Sequence, residues 1–139
     1  MSKASEVLTG VVSILTNDTT LQNLLGGSGR IFIRNAEIQR KIPSVTIWVT
    51  GDSPARIDEN VQWILMLQLD IWGTSWSTSF AILDRCDALL LNKVITATHY
   101  KAIFLRTEGA RQALADGELE GSVIKQVAAE YMLRVIKTS

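Results

Sequence analysis

The sequence predicts an α+β fold in which helices pack on one face of a mostly antiparallel sheet of about four to five strands. Two patterns indicate this class. Apolar residues recur with helical spacing in three segments, and segments with strand-like alternation follow one another in two hairpin-like pairs. The chain has 139 residues, of which 47% are apolar and 20% charged, and these values suit a single domain over residues 1–139.

The first quarter of the chain predicts two helices and a short strand. Apolar spacing predicts one helix over residues 4–16 and a second, short helix that Thr19 or Thr20 caps. The glycine-rich run 26–29 is expected to end this second helix, because glycine accepts the left-handed backbone that terminates helices. Residues 30–34 then alternate as a strand.

Two longer strands are predicted in the middle of the chain. Residues 44–50 are rich in β-branched side chains, and they follow Pro43, which suits a strand start. The polar residues 51–60 are predicted to be a hairpin loop. Residues 61–72 alternate most clearly, and one face of this strand is wholly apolar and is predicted to lie in the core. That face consists of Val61, Trp63, Leu65, Leu67, Leu69 and Ile71.

The remaining elements are one helix and two strands. Ser75 or Ser77 is expected to cap a helix that ends near Asn92 and packs on the apolar face of the sheet. The last two strands are predicted over residues 99–107 and 123–136, with a polar loop between them. The predicted order is therefore two helices, three strands, one helix and two strands.

Charge and cysteine content exclude some classes of function. Lys plus Arg equals Asp plus Glu, 14 against 14, which argues against a large sequence-independent nucleic-acid footprint and tolerates self-association. A single cysteine, Cys86, cannot form an intrachain disulfide and fits a reducing compartment. The N-terminus lacks the residue order of a signal peptide, and no apolar run is long enough to span a bilayer. We expect a soluble, cytoplasmic protein with no membrane partner.

No catalytic, cofactor-binding or metal-binding residues are predicted. Nucleophilic catalysis needs a base beside a serine or cysteine, but the only histidine, His99, is expected to flank a strand, and Cys86 falls in an apolar helix stripe. Asp70 lies near a strand-to-helix corner, where enzymes often place acids. The loop that carries Asp52, Asp58 and Glu59 could reach this end of the sheet, but the spacing of these residues matches no Ca²⁺ or Mg²⁺ motif. For Asp70 we therefore expect a solvated or paired side chain.

The candidate functional residues are instead possible subunit contacts. Trp72 lies on the face away from the helices and Trp76 lies just before the third helix; tryptophan is enriched at interfaces, although cover by loops explains both equally well. Charged residues in the predicted loops 51–60 and 107–122 can pair between subunits or form a solvated rim. They are Arg56, Asp58, Glu59, Glu108, Arg111, Asp116, Glu118 and Glu120.

Three segments share their order and hydrophobic pattern with one protein family. VLTGVVSILTNDTTLQNLLGGSGRIFIR matches an opening helix, a short second helix, a glycine stop and a first strand; PSVTIWVTGDSP matches a second strand. VQWILMLQLDIWGTSWSTSFAILDRCDALL matches a long strand that ends in an aspartate and an aromatic residue and precedes a serine-capped helix. In this pattern, which extends to about residue 92, the chain resembles the tail completion or tail terminator proteins of tailed double-stranded DNA phages. Beyond that residue the resemblance is weaker.

The resemblance implies a non-enzymatic virion protein of the phage tail or neck, made in the host cytoplasm and without a cofactor. Such proteins form a homo-oligomeric ring, usually a hexamer, that stops growth of the tail tube and contacts the tail tube protein and the head–tail connector. DNA passes through the ring without specific binding. Rings use head-to-tail contacts, and open strand edges can pair between subunits.

Three alternatives stay open at this point. One is an accessory binding domain encoded in a bacterial genome, because a prophage-derived copy would have the same sequence. A head completion or adaptor protein of the neck would form a ring on the capsid side, with twelve rather than six subunits in the adaptor case. A small metal-dependent hydrolase would use Asp70, or Asp58 with Glu59, as metal ligands or as a base.

Overall fold

A computed structural model describes residues 2–33, 42–54, 62–119 and 122–138. The three helices are α1 (Lys3–Thr16), α2 (Thr19–Leu25) and α3 (Trp76–Leu90). The six strands are β1 (Ile31–Ile33), β2 (Ser44–Pro54), β3 (Gln62–Gly73), β4 (Val94–Thr96), β5 (Tyr100–Leu119) and β6 (Ser122–Lys137). The predicted α+β class is confirmed, with a sheet one strand larger than expected. Within the described ranges, no helix has the length and apolarity needed to cross a membrane.

The strands form one sheet in the order β1-β2-β3-β6-β5-β4. β1 pairs with β2 in parallel, and every other pair of neighbours is antiparallel. β3 and β6 occupy the centre and pair without a register shift from Gln62 opposite Ile136 to Gly73 opposite Lys125. This uninterrupted central pair determines which side chains share a face on both strands, because alternate residues point to opposite sides.

The core lies between the three helices and one face of the sheet, as predicted. Leu65, Leu67, Leu69 and Ile71 of β3 are fully buried. From β6 and the helices, the core takes Val127, Ala129, Tyr131, Leu133, Val135, Val7, Val11, Leu15, Leu83, Cys86 and Leu90. Cys86 is thus the small buried hydrophobe that its position predicted.

Trp63 lies at the margin of the core rather than inside it. Its ring is half-buried and meets Tyr100 edge to face, with 6.0 Å between ring centroids. The ammonium of Lys3 lies 4.0 Å from the centroid of the indole and also pairs with Asp52 at 3.0 Å. The first turn of α1 is therefore attached to β2 and β3 by a cation–π contact and an ion pair.

Polar side chains cap the starts of the helices. Ser75 Oγ accepts a hydrogen bond from the backbone N–H of Thr78 at 3.1 Å, so Ser75 is the cap of α3, one of the two predicted candidates. The prediction that Thr19 or Thr20 caps α2 is wrong: Asp18 does so, with the N–H of Leu21 at 2.8 Å. A carboxylate is favoured at this position because it also interacts with the positive end of the helix dipole.

Asp18 also joins α2 to α3. Its two carboxylate oxygens accept hydrogen bonds from Nε and Nη2 of Arg85, at 2.9 and 2.7 Å. The hydrogen bond from Arg85 is the main cause that lowers the pKa of Asp18, and the bond from the Leu21 N–H adds to it against the opposing effect of desolvation. One side chain therefore serves as helix cap and as partner of a bidentate ion pair.

The corner between β3 and α3 is held by a close approach of backbone to side chain. Ser79 is fully buried, and its hydroxyl donates to the carbonyl of Lys125 at 2.7 Å. A Cβ built on Gly73 would lie only 2.2 Å from this hydroxyl oxygen. Glycine is thus required at the end of β3 for α3 to reach β6, and the corner is a packing feature of the scaffold.

The final third of the chain departs most from prediction. The expected loop over residues 107–122 is wrong, because β5 continues to Leu119 and β6 begins at Ser122. The short strand β4 was not predicted. β5 has three register shifts against β6, and such irregularities, with glycines and charges, obscure the alternation that identifies a strand.

The predicted loop 51–60 is also too long at its start. Its first four residues belong to β2, which passes through a register shift between Val49 and Gly51 and continues to Pro54. The remaining positions, 55–60, lie outside the described residues.

Substituting Gly73→Ala is expected to lower the free energy of unfolding by about 1–3 kcal/mol, the usual cost of overpacking. The new methyl group would displace the Ser79 hydroxyl and break its bond to Lys125. Urea unfolding measures the change. The matched control is Gly51→Ala, because a Cβ there meets Met66 Cγ at an ordinary 3.5 Å. Equal losses in the two variants would show that the close approach at Gly73 is unimportant.

Substituting Asp18→Ala is expected to destabilise the protein more than Asp18→Asn, because asparagine still caps α2 and alanine does not; the cap alone contributes about 1 kcal/mol. Thermal unfolding compares the variants. The folded pKa of Asp18 is lowered, so its ion pair stabilises the protein above the unfolded pKa of about 4. This contribution is lost as the pH falls through the folded pKa. A gap between wild type and Asp18→Asn that stays constant on acidification would contradict this role.

Candidate interaction face of the sheet

The sheet has a second face, opposite the helices, which we call the outer face. Its residues alternate with those of the core along the three strands β2, β3 and β6, and the register places them side by side. They are Thr46, Trp48, Ile64, Met66, Gln68, Asp70, Trp72, Gln126, Ala128, Glu130, Met132 and Arg134. Six of these twelve side chains are apolar, and among the described residues the helices pack on the other face of the sheet.

Asp70 is the centre of a hydrogen-bond network on the outer face. It is 4% exposed, and its Oδ2 accepts from Trp48 Nε1 at 3.1 Å. Its Oδ1 accepts from the amides of Gln68 at 2.9 Å and Gln126 at 3.4 Å. Both oxygens are thus engaged by neutral N–H donors from β2, β3 and β6. Asp70 was expected to be either solvated or paired. The carboxylate is not solvated; it is buried and hydrogen-bonded to these neutral donors.

Trp72 is held on the same face by a similar bond. Its indole N–H donates to Thr46 Oγ1 at 3.1 Å, and Thr46 lies directly opposite Asp70 in the register. Both Trp48 and Trp72 are half-buried, and each directs its N–H to a polar partner of the sheet. The polar atoms of the two indoles are therefore satisfied internally, which leaves apolar ring surface for contact with another molecule.

The other end of the outer face is more apolar. Ile64, Met66 and Met132 are half-buried there, and Met66 lies opposite Met132 in the register. Beside them Thr50 donates to Glu130 Oε2 at 2.9 Å, a bond that spans from β2 to β6. Aromatic and methionine side chains are enriched in protein interfaces, where methionine adapts to irregular surfaces. The composition of the outer face is thus typical of a contact surface.

Trp76 does not share this surface with Trp72. It belongs to the first turn of α3, packs against the core, and has the ammonium of Lys125 at 5.4 Å from its ring centroid. The two tryptophans predicted as subunit contacts therefore lie on opposite faces of the sheet. Any interface that used both would have to include the strand ends near Gly73 as well.

Only some of the charged residues that were predicted as subunit contacts lie within the described part of the chain. Arg56, Asp58, Glu59 and Glu120 lie outside the described residues. Arg111, Asp116 and Glu118 lie in β5 and not in a loop, and the register puts Asp116 opposite Lys125 and Glu118 opposite Val123. Arg111 falls at the register shift between Glu108 and Gln112. The proposed role of all these residues in subunit contact stays a prediction.

A buried carboxylate that sequence reasoning missed, Glu6, lies in the first turn of α1. Glu6 is 5% exposed and accepts from the backbone N–H of His99 at 3.0 Å, while the His99 imidazole lies 3.3 Å from its second oxygen. Burial raises the pKa of Glu6, but the two bonds to His99 outweigh it and lower the value. The pair joins α1 to the turn before β5. Glu6 precedes Val7 and Leu8 of the apolar stripe of α1, and this position in the sequence could have indicated that its carboxylate is buried.

The described residues contain no cluster of potential metal ligands. Among them, no three histidine, cysteine, aspartate or glutamate side chains lie close enough together to hold one ion.

Comparisons of sequence give no relatives: no family model and no curated protein matches the chain. Comparisons of structure do. One similar structure is a chain in the virion of a native gene transfer agent (GTA) particle, with 12% identity, a TM-score of 0.68 and coverage of 96% of both chains. Another, a protein without a stated function, has 11% identity and a TM-score of 0.64 over 100% of this chain and 99% of that one. At these identities the similarity shows a shared fold along the whole chain.

The network around Asp70 predicts a specific cost for Asp70→Asn. An amide has one acceptor oxygen instead of two, so either Trp48 or the two glutamines lose their partner. We expect a loss of about 1–3 kcal/mol in the free energy of unfolding, the cost of leaving a buried polar group unsatisfied. Chemical denaturation monitored by tryptophan fluorescence measures it. Asp84→Asn, at an exposed position of α3, is the control and should change little; a similar effect at both positions would contradict the network.

Proposed function

We propose that this chain is a structural virion protein of a tailed phage or a phage-like particle. More specifically, we propose a tail terminator: a homo-oligomeric ring, hexameric in this proposal, that ends the tail tube and joins it to the head connector. The observation that carries the proposal is the shared fold with a chain of a gene transfer agent virion over 96% of both chains. The three segments that resemble tail terminators support it independently, since they come from the sequence.

The physical character of the chain fits this role. A conduit for DNA should not hold it, and the equal numbers of acidic and basic residues, 14 and 14, provide no net attraction for phosphates. The outer face offers half-buried indoles and methionines to a neighbouring protein. Asp70, one of the residues considered for a hydrolase, has both oxygens occupied by N–H donors of the scaffold. These features favour a protein that acts through contacts with other proteins.

A second candidate draws on the same structural similarity. The matched chain is described only as part of a virion, so a head completion or adaptor protein of the neck is supported by it equally. The two roles differ in subunit number and in partner: a terminator binds the tail tube, whereas an adaptor forms a twelve-fold ring and binds the capsid portal.

Light scattering and negative-stain imaging of the purified protein, alone and with phage tail tubes or capsid portals, test the proposal. A six-fold ring, free or at one end of a tube, is the expected result. A twelve-fold ring, or binding to portals only, would replace the terminator with the adaptor. A monomer that binds neither would contradict both roles.

Trp72→Ala and the charge reversals Arg56→Glu and Arg111→Glu are expected to reduce ring formation more than stability, because these residues lie off the core face or in charged segments. The fraction of chains in rings, from light scattering, is compared with the free energy of unfolding of each variant. Asp84→Lys on the exposed side of α3 is the charge-reversal control. Normal ring formation by all three variants would exclude these residues from the interface.

A further inference from the structure

The two strands at the margins of the sheet are much shorter than their neighbours. β1 pairs with β2 only over residues 45–47, and β4 pairs with β5 only over residues 101–103. Among the described residues, no strand pairs with the outer side of residues 49–54 of β2 or of residues 105–119 of β5. We call these two segments the β2 edge and the β5 edge.

An open strand edge presents backbone N–H and C=O groups that a second strand can bind. Natural proteins usually protect such edges with charged residues, proline, β-bulges or a covering element. The β5 edge contains charged residues but neither lysine nor proline, and the β2 edge ends in Pro54, which has no N–H to donate. The register shifts of β5 against β6 break the β5 edge into shorter runs, but residues 115–119 pair with residues 122–126 in unbroken register. This run is as long as many natural strands and is suited to pairing.

The same run projects beyond the centre of the sheet. β3 ends at Gly73, opposite Lys125 of β6, so residues 117–119 and 122–124 form a ribbon of only two strands. A two-stranded ribbon is marginally stable in water by itself. Pairing with a further strand would give it the third strand that it lacks.

The β2 edge and the β5 edge lie on opposite sides of one sheet, since β2 and β5 are each next to a different marginal strand. Each copy of the chain therefore carries, among its described residues, two unpaired strand segments on opposite sides of the sheet. A contact between one edge and the other edge of the next copy is head-to-tail, and repetition of such a contact closes into a ring when the rotation allows it. The chain itself thus supplies the partner strand.

We propose that the β5 edge, through residues 115–119, pairs with the β2 edge of a neighbouring copy and that this main-chain pairing forms the subunit contact of the ring. The inference rests on the proposed function and specifies its interface. In the ring every copy uses both edges, so residues 115–119 and the β2 edge each gain a partner strand.

Disulfide trapping tests the pairing. Paired strands lie about 4.8 Å apart, within the distance range that a disulfide bridges. Cysteines are placed singly at residues 50–53 and at residues 115–119, and then in every combination of one from each set. Ring formation under reducing conditions is checked first, and only variants that form rings are oxidised. The native Cys86 is buried and is retained.

For at least one combination we expect a ladder of covalent oligomers that reductant reverses, ending at the subunit number of the ring, with no ladder from either single variant. The control combines each β5 cysteine with Thr9→Cys, on the exposed side of α1, and should give none. Covalent dimers from a single β5 variant would overturn the proposal in favour of contact between two β5 edges. Rings without a ladder in any combination would overturn it and leave the proposed function standing.

Hydrogen exchange of the wild-type protein provides a second test without any substitution. Backbone amides of residues 49–53 and 115–119 are expected to exchange at least about tenfold more slowly in the ring than in the protein diluted to monomer. Unchanged rates at both edges in a proven ring would overturn the pairing. Absence of any ring, in contrast, would contradict the proposed function itself.

Discussion

The structure depends on one interaction, the unbroken antiparallel pairing of β3 with β6 over the whole of β3. Because side chains alternate along both strands, this pairing produces two surfaces at once. One carries the leucines and valines that the helices cover, and the other carries the tryptophans, methionines and Asp70 of the outer face. A shift of one residue in register would exchange the two sets and expose the core. The remaining contacts, such as those of Asp18 and Gly73, attach the helices to a sheet whose faces are already determined.

The two faces of the sheet differ in how completely their side chains are covered within the molecule. On the helix side, the fully buried Ser79 hydroxyl bonds to β6 within the molecule. On the outer face, the polar atoms of Trp48 and Trp72 are bonded to the sheet while their rings stay half-buried. The edges of β2 and β5 are also left without a partner strand among the described residues. A protein that completes its surface only in an assembly is expected to look like this, and the fold shared with a virion protein is consistent with that expectation.

Much of the fold was predictable, because burial imposes regular periods on the sequence. The alternation in β3 and the helical spacing in α1 and α3 identified these elements and the core. The cap of α2 was mispredicted although aspartate is a preferred cap residue; the ion pair of Asp18 with Arg85, which is distant in the chain, could not be inferred from local sequence. The sequence also could not show β5 beyond residue 107: the register shifts interrupt its alternation, and its pairing with β6 depends on contacts between segments rather than on local preference.

The candidate site was predictable only in outline. Trp72 was placed on the correct face by counting along β3, whereas Trp76 lies against the core on the other side.

Cryo-electron microscopy of the protein bound to tail tubes tests the central claim most directly, because it shows stoichiometry, position and contacts together. A ring of six copies at one end of each tube, joined through strand edges, is the predicted result. Protein bound along the tube wall, at both ends, or not at all would contradict the assignment as a tail terminator.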